Sequence, residues 1–214
     1  MKNIKAIIFD AYGTLFDVNS AAKNCKDKIG NKWEEFANYW RTTQLEYTWL
    51  RSLMKRHKDF WQITEDSLDK SMKTFNIDPS MKNELMNLYK VFSPFKEVPE
   101  TLKTLKEKNF KLAILSNGTP ALLYELVKSN KLDNLFDDIF SIEEVGIYKP
   151  DSKVYDIPIK KYEIQKNEVA FLSANTWDVC GGGNFGYNSI WVNRNNCIFD
   201  NLDYKPENEI NKLS

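Results

Sequence analysis

The feature that most restricts the fold is a recurring pairing of short, unbroken apolar runs with helical spacing. The run Ala6, Ile7, Ile8, Phe9 closes a strand-like stretch at 4–9 and halts at Asp10. "KLAIL" (111–115), "VAFL" (169–172) and "SIWV" (189–192) repeat the pattern, and 138–142 is a weaker version. Helical spacing fills the intervals at about 99–108, 120–129, 151–162 and 177–185, with Pro99 and Pro120 where a first helical turn accepts proline. An apolar strand without a polar face has to be covered on both sides. The alternation therefore predicts an α/β fold: a Rossmann-like core with a parallel sheet flanked by helices.

Residues 18–93 break that rhythm. They carry no strand signal, and "KWEEFANYWRTTQLEYTWLRSLMKR" places Trp33, Phe36, Ala37, Trp40, Tyr47, Leu50, Leu53 and Met54 at helical spacing, with one gap around 41–44. Two more helical stretches follow. The expectation is an all-helical cap domain at 18–93, inserted into a core formed by 1–17 and 94–214. The closing segment, 200–214, is polar and reads as peripheral.

Several classes of function drop out on composition. Thirty basic and thirty acidic side chains cancel without a one-signed stretch, so no nucleic-acid or membrane partner is expected. No run is long enough to span a bilayer, and the apolar run after the first residues is too short for a signal peptide. Cys25, Cys180 and Cys197 show no paired spacing and read as reduced thiols, which suggests a cytoplasmic protein. His57 stands alone between Arg56 and Lys58 and reads as an exposed surface residue. With one imidazole, chemistry has to rest on carboxylates, lysine, arginine and hydroxyls.

In open α/β sheets, sites form beyond the carboxyl ends of the strands. Polar clusters stand there: Asp10, Tyr12 and Thr14; Ser116, Asn117 and Gly118; Lys149; then Ser173, Asn175, Trp177 and Asp178. A carboxylate at the end of an apolar strand loses hydration, and its pKa rises unless a cation and hydrogen-bond donors offset the loss. Lys149 is the candidate cation; Thr14, Ser116 and backbone amides are candidate donors. An ionised, poorly hydrated carboxylate fixed in direction is what a carboxylate nucleophile requires. Singly, each cluster has a plainer reading: a turn at Asp10, a strand-to-helix turn at "SNG", a solvated Lys149, an N-cap in "SANTWD". Their order and shared placement favour the chemical one.

Together, "FDAYGTL", "AILSNG", "IYKPDSKVY" and "SANTWD" resemble the haloacid dehalogenase superfamily and, within it, the L-2-haloacid dehalogenases. Three features select that branch. Phosphatases of the superfamily place a second aspartate where Tyr12 stands; an alkoxide needs a proton to leave and a halide does not. They gather acids for magnesium in the fourth cluster, where this chain has Ser173 and keeps only Asp178. Arg41, in the gap of the aromatic stripe, matches an arginine that the dehalogenases use at their active site.

The resemblance implies an (S)-2-haloacid dehalogenase. Asp10 displaces halide from a short-chain L-2-haloalkanoic acid with inversion, and water hydrolyses the resulting ester, without a cofactor or metal. It further implies that Lys149 neutralises Asp10 and that Thr14, Ser116 and Tyr155 hydrogen-bond to Asp10, Lys149 or the substrate carboxylate. Ser116 and backbone amides after Asp10, beginning at Ala11, hold that carboxylate. Arg41 and Asn117 face the halide. Ser173, Asn175 and Asp178 orient the lysine and the water, with Asp178 as base. Tyr12, Leu45, Phe60 and Trp177 wall the pocket, and a homodimer is possible. Thr42 stands where a longer polar residue is expected, which bears on pocket size. Gly181–Gly183 suggest that the last helix is short or starts late, since glycine costs about 0.8–1.0 kcal/mol relative to alanine. The rival readings are a magnesium-dependent phosphatase of the same superfamily and a binding protein that keeps the fold without catalysis.

Overall fold

The computed structural model describes residues 3–18, 20 and 23–213. Met1, Lys2, Asn19, Ala21, Ala22 and Ser214, which the expected segments include, lie outside the described residues.

The apolar runs form a parallel sheet. Its strands are β1 (Ala6–Phe9), β4 (Lys111–Ser116), β5 (Asp138–Ser141), β6 (Val169–Ser173), β7 (Asn188–Val192) and β8 (Asn208–Ile210). They lie in the order β5-β4-β1-β6-β7-β8. Helices α5 (Val98–Glu107), α6 (Pro120–Ser129), α7 (Ser152–Tyr162) and α8 (Thr176–Phe185) alternate with them. All residues of β1 and β6 are buried, as strands covered on both faces must be. The chain leaves β1 toward β4 and β5 on one side, then crosses to β6 and β7 on the other. That reversal opens a crevice at the end of β1. Phe9 is in register with Ile114 and Leu172, so Asp10 emerges beside the ends of β4 and β6.

Between Lys23 and Leu88 the chain is helical: α1 (Lys23–Ile29), α2 (Trp33–Leu53), α3 (Phe60–Phe75) and α4 (Lys82–Leu88). The Asp59 side chain caps α3 by accepting from the amide of Gln62, and Asn76 ends it in the left-handed conformation. α2 and α3 pack through Trp33, Phe36, Trp40, Phe60, Ile63, Leu68 and Met72, all buried. The gap in the stripe is a polar seam: Trp40 Nε1 donates to the Thr64 carbonyl at 3.1 Å, and Gln44 Nε2 to Thr64 Oγ1 at 2.6 Å.

Four expectations need correction. The closing segment supplies β8, which pairs in parallel with β7; its three residues are largely exposed and held by backbone bonds such as Asn193 N to Ile210 O, so no apolar run marked it. Residues flanking the insertion form a two-strand ribbon, β2 (Phe16–Asp17) with β3 (Ser93–Pro94), too short to leave a pattern. His57 is half-buried rather than exposed. Its ring lies 5.3 Å from that of Tyr148, and Nε2 is 2.9 Å from Glu143 Oε2. Arg56 and Lys58 point outward, and the residue between them turns in.

The fourth correction concerns α8, which begins before Asp178 and runs unbroken through the three glycines. They are there because neighbours come close. A Cβ on Gly181 would overlap the Tyr155 hydroxyl and lie 2.7 Å from Pro150 Cβ, one on Gly182 would lie 2.7 Å from Phe171 Cδ1, and one on Gly183 would fall in the Tyr204 ring. The helix ends at Gly186, whose φ of 114° suits glycine. Among the described residues no helix is long and apolar enough to cross a membrane.

Candidate active site

Asp10 follows the last residue of β1, and its amide donates to Leu172 O at 2.9 Å, so the carboxylate leaves the sheet between two strands. The chain then turns on the Ala11 carbonyl, which accepts from the amides of Thr14, Leu15 and Phe16. This turn brings Thr14 back: Oγ1 donates to Asp10 Oδ2 at 3.0 Å and accepts from the Ala174 amide at 2.8 Å. Asn175 Nδ2 donates to the same Oδ2 at 2.9 Å. Asn175 is the N-cap residue of α8, yet its side chain makes no cap bond, because it is engaged with Asp10.

Lys149 Nζ lies between two carboxylates, 3.2 Å from Asp10 Oδ1 and 2.9 Å from Asp178 Oδ2. The lysine and Asp178 are wholly buried and Asp10 nearly so. Burial alone would lower the lysine's pKa, but Asp178 and Asp10 together raise it, so the ammonium stays charged. Burial also raises Asp178, to about 6, against the opposing pull of Lys149 and the Tyr155 hydroxyl. Tyr155 on α7 donates to Asp178 Oδ1 at 2.7 Å. The expected hydrogen bond from Tyr155 to Asp10, Lys149 or substrate is thus corrected: its hydroxyl serves Asp178, on which the lysine leans.

Serines end three of the strands, β4, β5 and β6, and shape the turns beyond them. Ser116 Oγ accepts from the Gly118 amide at 3.1 Å, Ser173 Oγ from Asn175 at 3.1 Å, and Ser141 Oγ from Glu143 at 3.2 Å. Each hydroxyl keeps a proton to donate; Ser141 gives its own to Gly118 O at 2.7 Å. Asn117 Oδ1 accepts from the Lys149 amide at 3.2 Å, so the side chain expected at the halide holds the lysine's backbone.

Tyr12 is buried, and its ring stacks on Phe60 at 5.5 Å and meets Tyr89 and Phe92. Burial, with Tyr89 and Asp10 adding to it and Arg41 opposing, pushes the phenol well above its ordinary pKa. Trp177 meets Trp49 edge-on at 5.5 Å. Arg41 Nη1 donates to Gln44 Oε1 at 2.7 Å, and Tyr89 donates to the same oxygen at 3.1 Å. Leu45 is half-exposed, four residues after Arg41 on α2. Thr42 is exposed and does not line the cleft between insertion and sheet. A cleft of about 600 Å³ opens between insertion and sheet, lined by Tyr12, Arg41, Phe95, Asn175, Trp177 and Arg194. A second cavity, of about 160 Å³ inside the insertion, shares Arg41 and Val18 with it. Among the described residues no group of three or more His, Cys, Asp and Glu side chains is placed to hold a metal.

Sequence reasoning missed Gln44, Tyr89, Trp49, Ser141 and Arg194. Gln44 had a signal, one helical turn after Arg41 in the gap of the stripe. Arg194 had one too: it follows β7, as the other clusters follow their strands. Tyr89 and Trp49 reach the site through packing that no spacing announces.

A clamped carboxylate at the edge of a Rossmann-like sheet, facing a helical insertion, defines a hydrolase class. Residues 4–186 match the model of the haloacid dehalogenase-like hydrolase family. The chain is 39% identical to an (S)-2-haloacid dehalogenase of Pseudomonas sp. (strain YL), over 100% of this chain and 93% of that one. It is 40% identical to (S)-2-haloacid dehalogenase 4A of Burkholderia cepacia, over 90% and 84%. The solved L-2-haloacid dehalogenase of Xanthobacter autotrophicus, with chloropropionic acid covalently bound, superposes with a TM-score of 0.91 at 31% identity, covering 98% of this chain and 95% of that one. The chain belongs to this family, in its L-2-haloacid dehalogenase branch.

Proposed function

We propose that the chain hydrolyses short-chain L-2-haloalkanoic acids to 2-hydroxy acids through a covalent ester on Asp10, with inversion and without a metal. That it is a hydrolase of carbon–halogen bonds, acting on 2-haloacids, follows from its relatives. The finer mechanism rests on one observation: Asp10 Oδ2 is held by Thr14 and Asn175 while Oδ1 faces the Lys149 ammonium. So held, the carboxylate points one way in a nearly dry site, beside a buried ammonium, ready to attack carbon. The covalently bound chloropropionic acid in the Xanthobacter relative supports an ester.

In this reading residues 18–93 act as a cap over a core of 1–17 and 94–214. Ser116 and the amides after Asp10 hold the substrate carboxylate. Arg41 faces the leaving halide, where a positive charge lowers the barrier by about 2.7–4 kcal/mol. Lys149, set by Asp178 and Tyr155, neutralises Asp10. Once the ester has formed, Asp178 takes a proton from water, and Ser173 and Asn175 shape the loop that orients it. Tyr12, Leu45, Phe60 and Trp177 keep other water out. Lys149 fills the space between the two carboxylates, which supports metal independence. Tyr12 packs its ring on Phe60 where a phosphatase of the superfamily carries its acid, which argues against that alternative. The three free thiols suit the cytoplasm. Exposed Leu50, Leu53 and Met54 at the end of α2 suit a homodimer, which light scattering measures.

The test is one turnover of L-2-chloropropionate by excess enzyme in ¹⁸O water. The label is expected in Asp10 and not in the first lactate released, and that lactate has the D configuration. Halide release is expected to survive a chelator, and no phosphate ester should be cleaved. Label passing straight into lactate would refute the ester.

A further inference from the structure

Arg194 touches none of the groups discussed as reacting, yet it ties together three parts of the chain. Its Nε and Nη2 both donate to the carbonyl oxygen of Thr14, at 3.2 and 2.7 Å. Its Nη1 pairs with Glu97 Oε1 at 2.8 Å, and its guanidinium lies 3.6 Å from the centre of the Phe95 ring. The side chain is 9% exposed. A buried guanidinium is costly unless its fork is filled, and here every arm is occupied.

The partners give the arrangement meaning. Thr14 is the residue whose hydroxyl fixes Asp10 Oδ2. Phe95 and Glu97 follow β3, the return leg of the ribbon that joins insertion to core, and the Phe95 amide donates to Leu15 O at 3.0 Å. Burial pushes the Glu97 carboxyl up, but Arg194 and backbone amides more than reverse this, so the pair is ionised. One side chain from the end of β7 thus ties the nucleophile loop to the foot of that ribbon.

We propose that Arg194 is a positioning residue: by gripping the Thr14 carbonyl and Glu97 at once, it sets the direction in which the Asp10 carboxylate points. The proposal rests on the reading of Asp10 as nucleophile. Two bonds on one carbonyl and a third arm on Glu97 need a planar fork; an ammonium reaches one partner or the other. A nucleophile displaced by about 1 Å costs on the order of 10²-fold in rate.

The experiment compares wild type, Arg194→Lys, Arg194→Ala and Asp10→Asn in halide release from L-2-chloropropionate, with thermal unfolding recorded for each. Arg194→Lys is expected to fold with a near wild-type midpoint, to lose about tenfold in kcat, and to change KM by less than about twofold. Arg194→Ala is expected to lose about 10²-fold in kcat and to regain about tenfold of it in millimolar guanidinium chloride, which Lys does not mimic. A purely structural role predicts instead a lower midpoint, full kcat in whatever remains folded, and no rescue. Folded Arg194→Lys with kcat within about twofold of wild type overturns the proposal. So does a loss confined to KM. Arg194→Lys decides the matter if the alanine variant does not fold. An active Asp10→Asn would sink the nucleophile reading and the proposal with it, whereas an inactive Asp10→Asn beside unaffected Arg194 variants sinks the proposal alone.

Discussion

The sheet edge and the helical insertion face the same cleft and are built in opposite ways. At the sheet edge Asp10 is bound by its own turn through Thr14 and by two segments distant in sequence, through Lys149 and Asn175, and the lysine is bound again by Asp178. Among the described residues the insertion presents one charged group to the cleft, Arg41, and that guanidinium is bonded within its own helix, to Gln44. Insertion and sheet meet through the β2–β3 ribbon, through the rings of Tyr12 on Phe60 and of Trp49 on Trp177, and through contacts around Tyr148, whose amide donates to Ser52 Oγ at 3.2 Å and whose hydroxyl donates to Lys58 O at 2.7 Å. Half of the site is therefore preorganised by its own polar network, and the other half is aimed by how the insertion sits. Preorganisation belongs where the bond forms; adjustable placement suits the part that must admit substrate.

The sharpest way to break the contrast is to remove a group from each half. Asp10→Asn is expected to abolish turnover. Lys149→Ala should do the same and also destabilise the fold by about 3–5 kcal/mol, because two buried carboxylates are left to repel each other. Halide release and urea unfolding measure both effects. Arg41→Ala should lower kcat by about 10²–10³-fold, yet change stability by no more than about 0.5 kcal/mol. An Arg41→Ala enzyme with most of its turnover would take Arg41 out of the site.

A smaller effect separates the glycines of α8. Gly181→Ala drives a methyl into the Tyr155 hydroxyl, so it is expected to cut kcat about tenfold by loosening Asp178, besides destabilising the fold by about 1–3 kcal/mol. Gly183→Ala drives its methyl into the Tyr204 ring and should lower stability by a similar amount with kcat unchanged. Equal kcat in the two variants would show that the Tyr155 contact does not matter to the rate.

The smallest effect is the pH response of Asp178. Its folded pKa, about 6, exceeds the ordinary 3.8, so the folded chain takes up this proton first. Activity should fall as pH drops through about 6. The group's contribution to stability moves the other way: the cost of its buried charge, present above about 6, is relieved as pH falls toward 3.8. Rate and unfolding midpoint recorded on the same samples check that the two trends oppose. A rate and a midpoint that fall together across that window would deny Asp178 this role.

Much of the fold was legible because its signal is local. Unbroken apolar strands and intervening helices need only composition and spacing, and five of the six strands of the main sheet were found that way. β8 escaped because an edge strand of three exposed residues has no apolar signature. The strand-end residues were legible by the same logic, since the sheet's topology brings successive strand ends to one crevice. The glycine run misled because helix propensity is a weak prior beside tertiary packing: the spacing could not say that Tyr155, Phe171 and Tyr204 would press on α8.

What the sequence determined by itself is the class of the molecule: a parallel sheet interrupted by helices, a carboxylate at the end of its first strand, and a lysine and further polar groups at the ends of others. Those depend on neighbours along the chain. Only the tertiary structure decided who holds whom: Tyr155 on Asp178 rather than Asp10, Asn117 on the backbone of Lys149, Arg194 on the Thr14 carbonyl. Hydrogen bonds reach about 3 Å, and which groups come that close is settled by packing between segments 23, 32 and 180 residues apart in these three cases.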